Sequence, residues 1–322
     1  MRWVLAALFV LLVATALWLR WRRSSPTGGA APPRPPLGGN AADFPFLAPT
    51  LPDASAMFQA LEVDVPRVRR KTGGYRALLY RVASDAARAD RLADHYTEAA
   101  RVRAHPPGVL SLWDVWHRPG QRELVLRYAR DHTPQALQEK LKDYTPGETD
   151  TNPSLVRAVL RACSRHLQRR SLRVVDAHCR WGGQLLGALA SDCEWYHGYL
   201  PETSPAWAGV ASALRLAIRD HLRPPQSSNE FWVREMRLEQ AAPAGGYDVL
   251  FVHDSDLTPL RGDLVRRLGV SFVVLFGGST SLSAKKMALA VALMKGVCRR
   301  PRLYGVRAVD GGPTERALLW KI

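Results

Sequence analysis

Asp176 sits near the end of an apolar, β-branched run, LRVVDAH over 172–178. The small-residue turn Cys179-Arg180-Trp181-Gly182-Gly183 follows, and then QLLGALASD, which has helical spacing. A strand, a glycine-bearing turn and a helix N-terminus bring backbone N–H groups close to a nucleotide, while an acid at the strand end bonds a hydroxyl or an amine. Asp176, Trp181, Gly182 and Gly183 are therefore candidate cofactor-binding residues. A second run ends Gly198-Tyr199-Leu200-Pro201-Glu202, so Leu200 stands where a second acidic contact is expected. Gly198 and Glu202 are the remaining cofactor candidates there. A third run, VLFV over 249–252, ends in His253-Asp254-Ser255-Asp256. His253, Asp254 and Asp256 are the candidate catalytic groups, because an imidazole or a carboxylate can accept a proton. The Asp-x-Asp spacing can also hold a divalent cation that bridges the phosphates of a sugar nucleotide.

Alternating elements must position these groups. Strands are expected at Leu172–His178, Trp195–Leu200, Glu230–Leu238, Tyr247–His253 and Ser271–Gly277, with helices at Gly182–Ser191, Pro205–His221, Pro259–Leu268 and Ser283–Val297. Such alternation specifies an α/β fold with a parallel sheet and crossover helices. Arg302–Val309 and Arg316–Ile322, joined by DGGPTE, should close it as an antiparallel hairpin. Residues 58–150 read as a mainly helical N-terminal extension that includes ALLYRVASDAARADRLADHYTEAARVRA. A further helix over Pro153–Gln168 carries Arg157, Arg161 and Arg165, with Arg169 next in the same spacing. Such a stripe is ordinarily a solvated helix face, and the same guanidiniums could grip phosphates.

On these residues the chain resembles the S-adenosylmethionine-dependent DNA methyltransferases that modify exocyclic amino groups, and especially the methylases of large DNA viruses. The resemblance covers roughly residues 88–322. Asp176, Trp181, Gly182, Gly183 and Leu186-Gly187-Ala188 match the family's cofactor motif, whereas Ala177 replaces its proline and Arg180 the glycine nearest the cofactor. LADHYTEAARVRA and Asn152-Pro153 are similar to the family's N-terminal extension. The resemblance implies a class I methyltransferase (Rossmann-like) fold, S-adenosylmethionine as cofactor, and an aromatic that stacks on a flipped base. Leu200 replaces the acid that holds the ribose hydroxyls, which leaves an unpaired group worth about 1–3 kcal/mol. After Tyr247-Asp248 and its strand, His253-Asp254-Ser255-Asp256 replaces the family's polar residue, two prolines and aromatic. Three departures at three contacts point to relaxed constraint on methylation.

Composition bounds the partners. Of 45 basic residues 38 are Arg and 7 are Lys, and the net charge is +16. Nucleic acid or an anionic lipid surface suits that balance, although GC-rich coding produces the same Arg bias. Cys163, Cys179, Cys193 and Cys298 form no ligand cluster, so no metal site is expected, and free thiols favour a reducing compartment. His178 and His197 read as polar residues at strand ends, and Trp113 and Trp116 as packing residues. Ser279–Ser283 reads as a connection, or as a loop friendly to phosphate.

Trp3–Leu19 is seventeen residues without a charge, flanked by Arg2 and by Arg20, Arg22 and Arg23. It reads as a single transmembrane helix, with a cleaved signal peptide as the alternative at Ala14-Thr15-Ala16. Positive residues after it place the remainder on the cytoplasmic side. The expected organisation is an anchor at 1–23, a Pro/Gly-rich linker at 24–57, the helical extension at 58–150 and a methyltransferase-like domain at 151–322. Three functions fit: a membrane-anchored scaffold with a degenerate site, an active methyltransferase with a rearranged site, or a type II membrane glycosyltransferase using Asp254 and Asp256.

Overall fold

Val174 and Val175 are neighbours in sequence yet lie in two different cores, on opposite faces of one sheet. The period of two along each strand produces this split. The same alternation separates Phe251 from Val252 and Val274 from Leu275. The computed structural model describes residues 44–322 apart from 46–49, 62, 65–66, 73–74, 82–90, 106–107, 146–149, 202–206, 224–225, 227–229, 242, 244, 278–283, 298–301 and 309–316. The expected anchor, nearly all of the linker up to residue 49, Glu202, Ser279–Ser283, Cys298 and the DGGPTE turn lie outside the described residues. Among the described residues no helix is long and apolar enough to cross a membrane.

The chain runs through α1 (Leu51–Gln59), β1 (Arg67–Thr72), β2 (Tyr75–Tyr80), α2 (Asp94–Arg101), α3 (Leu112–Trp116), α4 (Pro119–Tyr128) and α5 (Pro134–Leu141). It continues through α6 (Pro153–Leu167), β3 (Leu172–Asp176), α7 (Gly183–Leu189), β4 (Cys193–Tyr199), α8 (Val210–His221), β5 (Phe231–Arg234) and α9 (Leu238–Ala241). The last elements are β6 (Val249–His253), a 3-10 turn (Thr258–Leu260), α10 (Gly262–Leu268), β7 (Phe272–Phe276), α11 (Ala284–Val297), β8 (Arg302–Ala308) and β9 (Ala317–Lys321). Each strand expected from residue 172 onward is present; β4 starts two residues earlier than expected and ends one sooner, and the others are shortened by one to five residues.

The strand order is β1-β2-β8-β9-β7-β6-β3-β4-β5. Strands β5, β4, β3, β6 and β7 are parallel, and β9 inserts antiparallel between β7 and β8. This is the order of a class I methyltransferase sheet with its terminal antiparallel hairpin. Helices α6, α7 and α8 bury one face, and α10 and α11 cover the other.

The extension departs from expectation. Part of the stretch read as helical forms β1 and β2, an antiparallel pair with Thr72 opposite Tyr75, and β2 joins the main sheet parallel to β8. The sequence signal was Gly73-Gly74 between two runs, the pattern of a tight hairpin, which the helical spacing of later residues obscured. Helices α3 to α5 make a small core of their own around Trp116, while Trp113 stacks on Phe44 and His117. Both tryptophans are packing residues, as expected.

Helix α6 starts where the sequence predicts. The Asn152 side chain accepts a hydrogen bond from the Ser154 N–H, and Pro153 holds the first helical position. It stops at Leu167 because Gln168 turns left-handed. Arg169 therefore lies beyond the helix and pairs with Asp248 at 2.7 Å, while Arg161 donates to the Val63 carbonyl. The arginine stripe is thus partly consumed by internal contacts.

Candidate functional site

The turn after β3 is the candidate cofactor cradle. Arg180 has φ +41° and Gly182 φ +108°, both left-handed. Glycine adopts that conformation freely, whereas a residue with a Cβ pays about 1–2 kcal/mol for it. Position 180 thus takes a glycine-type backbone path while carrying a large cation. Cys179 N donates to the Tyr199 carbonyl and Gly182 N to that of Cys179, which holds the turn across the ends of β3 and β4.

Each described cofactor candidate is engaged by a protein group. Asp176 is fully buried; it accepts the Tyr196 hydroxyl at 2.5 Å and the His178 N–H at 3.0 Å. Burial pushes its carboxyl up to about 7, against the pull of these two bonds. Trp181 is buried, stacks on Trp207 at 3.8 Å, and its carbonyl accepts the Thr97 hydroxyl. A Cβ on Gly182 would meet Leu214, and one on Gly183 would fall 1.6 Å from the Thr151 carbonyl oxygen. Gly183 N donates to Asp150 at 2.9 Å. Burial lifts Asp150 to about 6, and the nearby Arg101 and Arg180 pull it back. At Gly198 the Cβ direction is occupied by the Tyr196 ring, Cys179 and Val233.

Among the described residues no acid stands at the end of β4, where Leu200 follows Tyr199. Leu200 is buried in the core that α6 to α8 share, and its N–H donates to the Arg234 carbonyl. Glu202, the residue that could substitute for it, lies outside the described residues.

At the end of β6 the Arg180 guanidinium is buried against His253, with Nη1 2.9 Å from Nε2 and 3.2 Å from Nδ1. The Ser255 N–H and hydroxyl also approach Nδ1, at 3.2 and 3.0 Å. Asp254 Oδ1 lies 3.2 Å from the same nitrogen. Asp256 turns elsewhere: it accepts the Thr258 N–H and lies 4.0 Å from Arg237. The two aspartates thus have separate protein partners, a poor arrangement for one shared cation.

The structure brings Asp176, Trp181, Gly182, Gly183, Arg180 and His253 to one end of the sheet. Asp150, Thr97, Tyr196 and Trp207 complete that end, and no motif announces them. Asp150 lies two residues before the Asn152 cap, a short acid beside a helix start being its only signal. His197 sits within β4, where Nδ1 meets the Tyr247 hydroxyl at 2.7 Å and the ring stacks on Trp232.

No family model matches this chain, and no curated protein matches it. Among solved structures it is similar to a methyltransferase from Geobacter sulfurreducens, at 12% identity over 63% of this chain and 98% of that one, with a TM-score of 0.37. It is similar to the methyltransferase domain of bacterial CtHen1-C, at 14% identity over 53% and 99%, with a TM-score of 0.40. A third likeness is to precorrin 8w decarboxylase of Methanobacterium thermoautotrophicum, at 14% identity over 52% and 89%, with a TM-score of 0.35. At such identities and scores the fold assignment rests on the strand order itself, which is that of the class I methyltransferases.

Proposed function

We propose that this chain is a methyltransferase-fold protein descended from amino-methylating DNA methyltransferases, whose cradle has been filled by its own side chains and which serves as a scaffold for an anionic partner. The observation that carries this reading is the Arg180 guanidinium buried on His253, between the former cofactor turn and the former catalytic strand end. The residues present do not fit S-adenosylmethionine in the family's pose. Leu200 offers the ribose no acceptor, and Arg180 presents a cation to a cofactor whose sulfonium is also a cation.

The anionic partner is supported by the net charge of +16 and by its distribution. Strands β1, β2 and β8 are neighbours at one edge of the sheet and carry four, one and two basic residues respectively, and no acidic one. The uncharged segment Trp3–Leu19 supports a membrane anchor with the folded part on its cytoplasmic side. Anchored in this way, the basic edge would recruit nucleic acid or rest against anionic lipid.

Thermal shift and calorimetry on the full-length chain test the first half. No stabilisation by millimolar S-adenosylmethionine is expected. A shift following RT ln(1 + [L]/Kd), together with methyl transfer to DNA, would establish the rival reading of an active, rearranged enzyme. Retention of the left-handed cradle backbone favours that rival. For the second half, binding to a DNA duplex that falls steeply with salt identifies nucleic acid. Binding to anionic vesicles alone identifies the membrane.

A further inference from the structure

The fold holds a cavity remote from the cradle. It lies at the opposite ends of the strands, where β3 and β4 begin and just before β5. A cleft of ≈ 690 Å³ there is lined by Arg170, Asp192, Glu194, Arg223, Gln226 and Glu230, among others. Open α/β sheets ordinarily bind ligands at the carboxyl ends of their strands. This cleft is separated from that end by the length of β3, about 15 Å at 3.3 Å per residue.

A smaller pocket of ≈ 50 Å³ shares the wall formed by Arg170, Ala190, Ser191, Asp192 and Cys193. Its further lining includes Arg157 and Arg161, two of the four arginines aligned along the chain before β3. Its described lining thus includes three arginines and one carboxylate, that of Asp192. One water needs about 10–15 Å³ of such space, so the pocket holds several waters or one tetrahedral oxyanion. The larger cleft falls within the roughly 300–1,000 Å³ of small-molecule sites.

The lining of the two compartments differs in sign. Around the larger one, Glu194 is held by Arg173 through two hydrogen bonds of 3.1 Å, and Gln226 Nε2 donates to the Ser191 and Cys193 carbonyls. The side chains of Arg170, Asp192 and Glu230 make no hydrogen bond or ion pair among the described residues. Two uncommitted carboxylates are acceptors for hydroxyl or amino donors. An uncommitted guanidinium at the mouth of an arginine pocket is a donor for an anion.

We propose that this double cavity binds a phosphate monoester of a hydroxyl-rich small molecule. The phosphate is held by Arg157, Arg161 and Arg170, and the ligand's hydroxyls bond to Asp192 and Glu230. Arginine suits the phosphate because its planar fork bonds two oxygens at once. A sugar phosphate and a nucleoside monophosphate share this chemistry, and they differ in whether a base also enters the cleft.

Calorimetry on the full-length chain tests the site with ribose 5-phosphate, adenosine 5′-monophosphate, adenosine and inorganic phosphate. Both esters are expected to bind at least tenfold more tightly than adenosine or inorganic phosphate. Equal affinity of the two esters identifies a sugar phosphate, and tighter binding of the nucleotide places its base in the cleft. Arg170→Ala, at an exposed position with no partner to lose, should weaken either ester about tenfold, the loss of one charge-assisted contact. Glu230→Gln should weaken the esters without affecting inorganic phosphate. The proposal is overturned if neither ester binds at millimolar concentration to cooperatively folding protein. Inorganic phosphate binding as tightly as the esters, or an Arg170→Ala protein with unchanged affinity, overturns it equally.

Discussion

Arg180 Nη1 lies 2.9 Å from His253 Nε2, although 73 residues separate the two in sequence. Two positions that each depart from a cofactor-binding pattern thus answer one another. A guanidinium where a glycine is expected finds its contact on an imidazole where an amine-orienting residue is expected. Leu200 adds a third adjustment, an apolar side chain absorbed into the core. Under the proposed function the three form one repacked site.

The backbone at position 180 gives the first prediction. Because φ is +41° there, Arg180→Gly removes the left-handed penalty, whereas Arg180→Ala keeps it and loses the contact with His253. The glycine variant should exceed the alanine variant in stability by about 1 kcal/mol. Urea midpoints measured side by side decide this, and an alanine variant as stable as the glycine one would rule the strain out.

The buried carboxylates predict a pH dependence. Burial raises Asp176 to about 7 and Asp150 to about 6, so the folded state holds protons that the unfolded chain releases near the ordinary value of 3.8. Their contribution to stability therefore falls as pH rises, by up to about 1.4 kcal/mol per pH unit for each group while it titrates. Burial pushes His197 and His221 down to about 4, so below the ordinary 6.5 the unfolded chain takes up protons that the folded state refuses. Their contribution rises with pH between about 4 and 6.5 and masks the carboxylates. Asp176→Asn should expose the difference: relative to wild type, the variant gains stability from pH 4 to 7 and changes little above. Denaturation across that range checks it, and a constant difference would contradict the buried-acid assignment.

Close backbone approach predicts a contrast between glycines. Gly183→Ala places a methyl 1.6 Å from the Thr151 carbonyl oxygen, and a rigid backbone cannot yield cheaply. A loss of about 3 kcal/mol or more is expected, at the upper end of overpacking costs. Gly120→Ala, in the first turn of α4 with nothing within 4 Å, should instead stabilise by up to about 1 kcal/mol. Thermal midpoints of the two variants should move in opposite directions.

Asp248 and Arg169 should respond unequally although they form one ion pair. Asp248 also accepts the Arg173 backbone N–H at 3.0 Å, so Asp248→Ala leaves that donor unsatisfied at the start of β3 and costs about 1–3 kcal/mol. Arg169 is largely exposed, and Arg169→Ala should cost no more than about 1 kcal/mol. Equal losses in chemical denaturation would mean that the ion pair, and not the backbone bond, dominates.

The strands from β3 onward were legible because most are short apolar or aromatic runs bounded by turn residues, a local signal. Helix α6 was legible because Asn152 and Pro153 mark its start. Strands β1 and β2 were not, since β1 is rich in arginine and lacks an apolar run, and the pair is completed by β8, more than two hundred residues away. At the site, Asp176, Trp181, Gly182, Gly183 and His253 were legible as types at motif positions. Asp150, Thr97 and Tyr196 were not, because their roles arise only when separate elements meet.

The sequence by itself determined the alternation of strand and helix, the closing hairpin and the departures at 180, 200 and 253, all of which depend on local spacing and residue type. Only the tertiary structure decided what those departures do. Whether a guanidinium at position 180 points to solvent or is buried on His253 depends on how β3 and β6 pair, and pairing is a long-range outcome of burying both sheet faces at once. For the same reason the arginines before β3 became the wall of a cavity only when the turn between α7 and β4 folded against them.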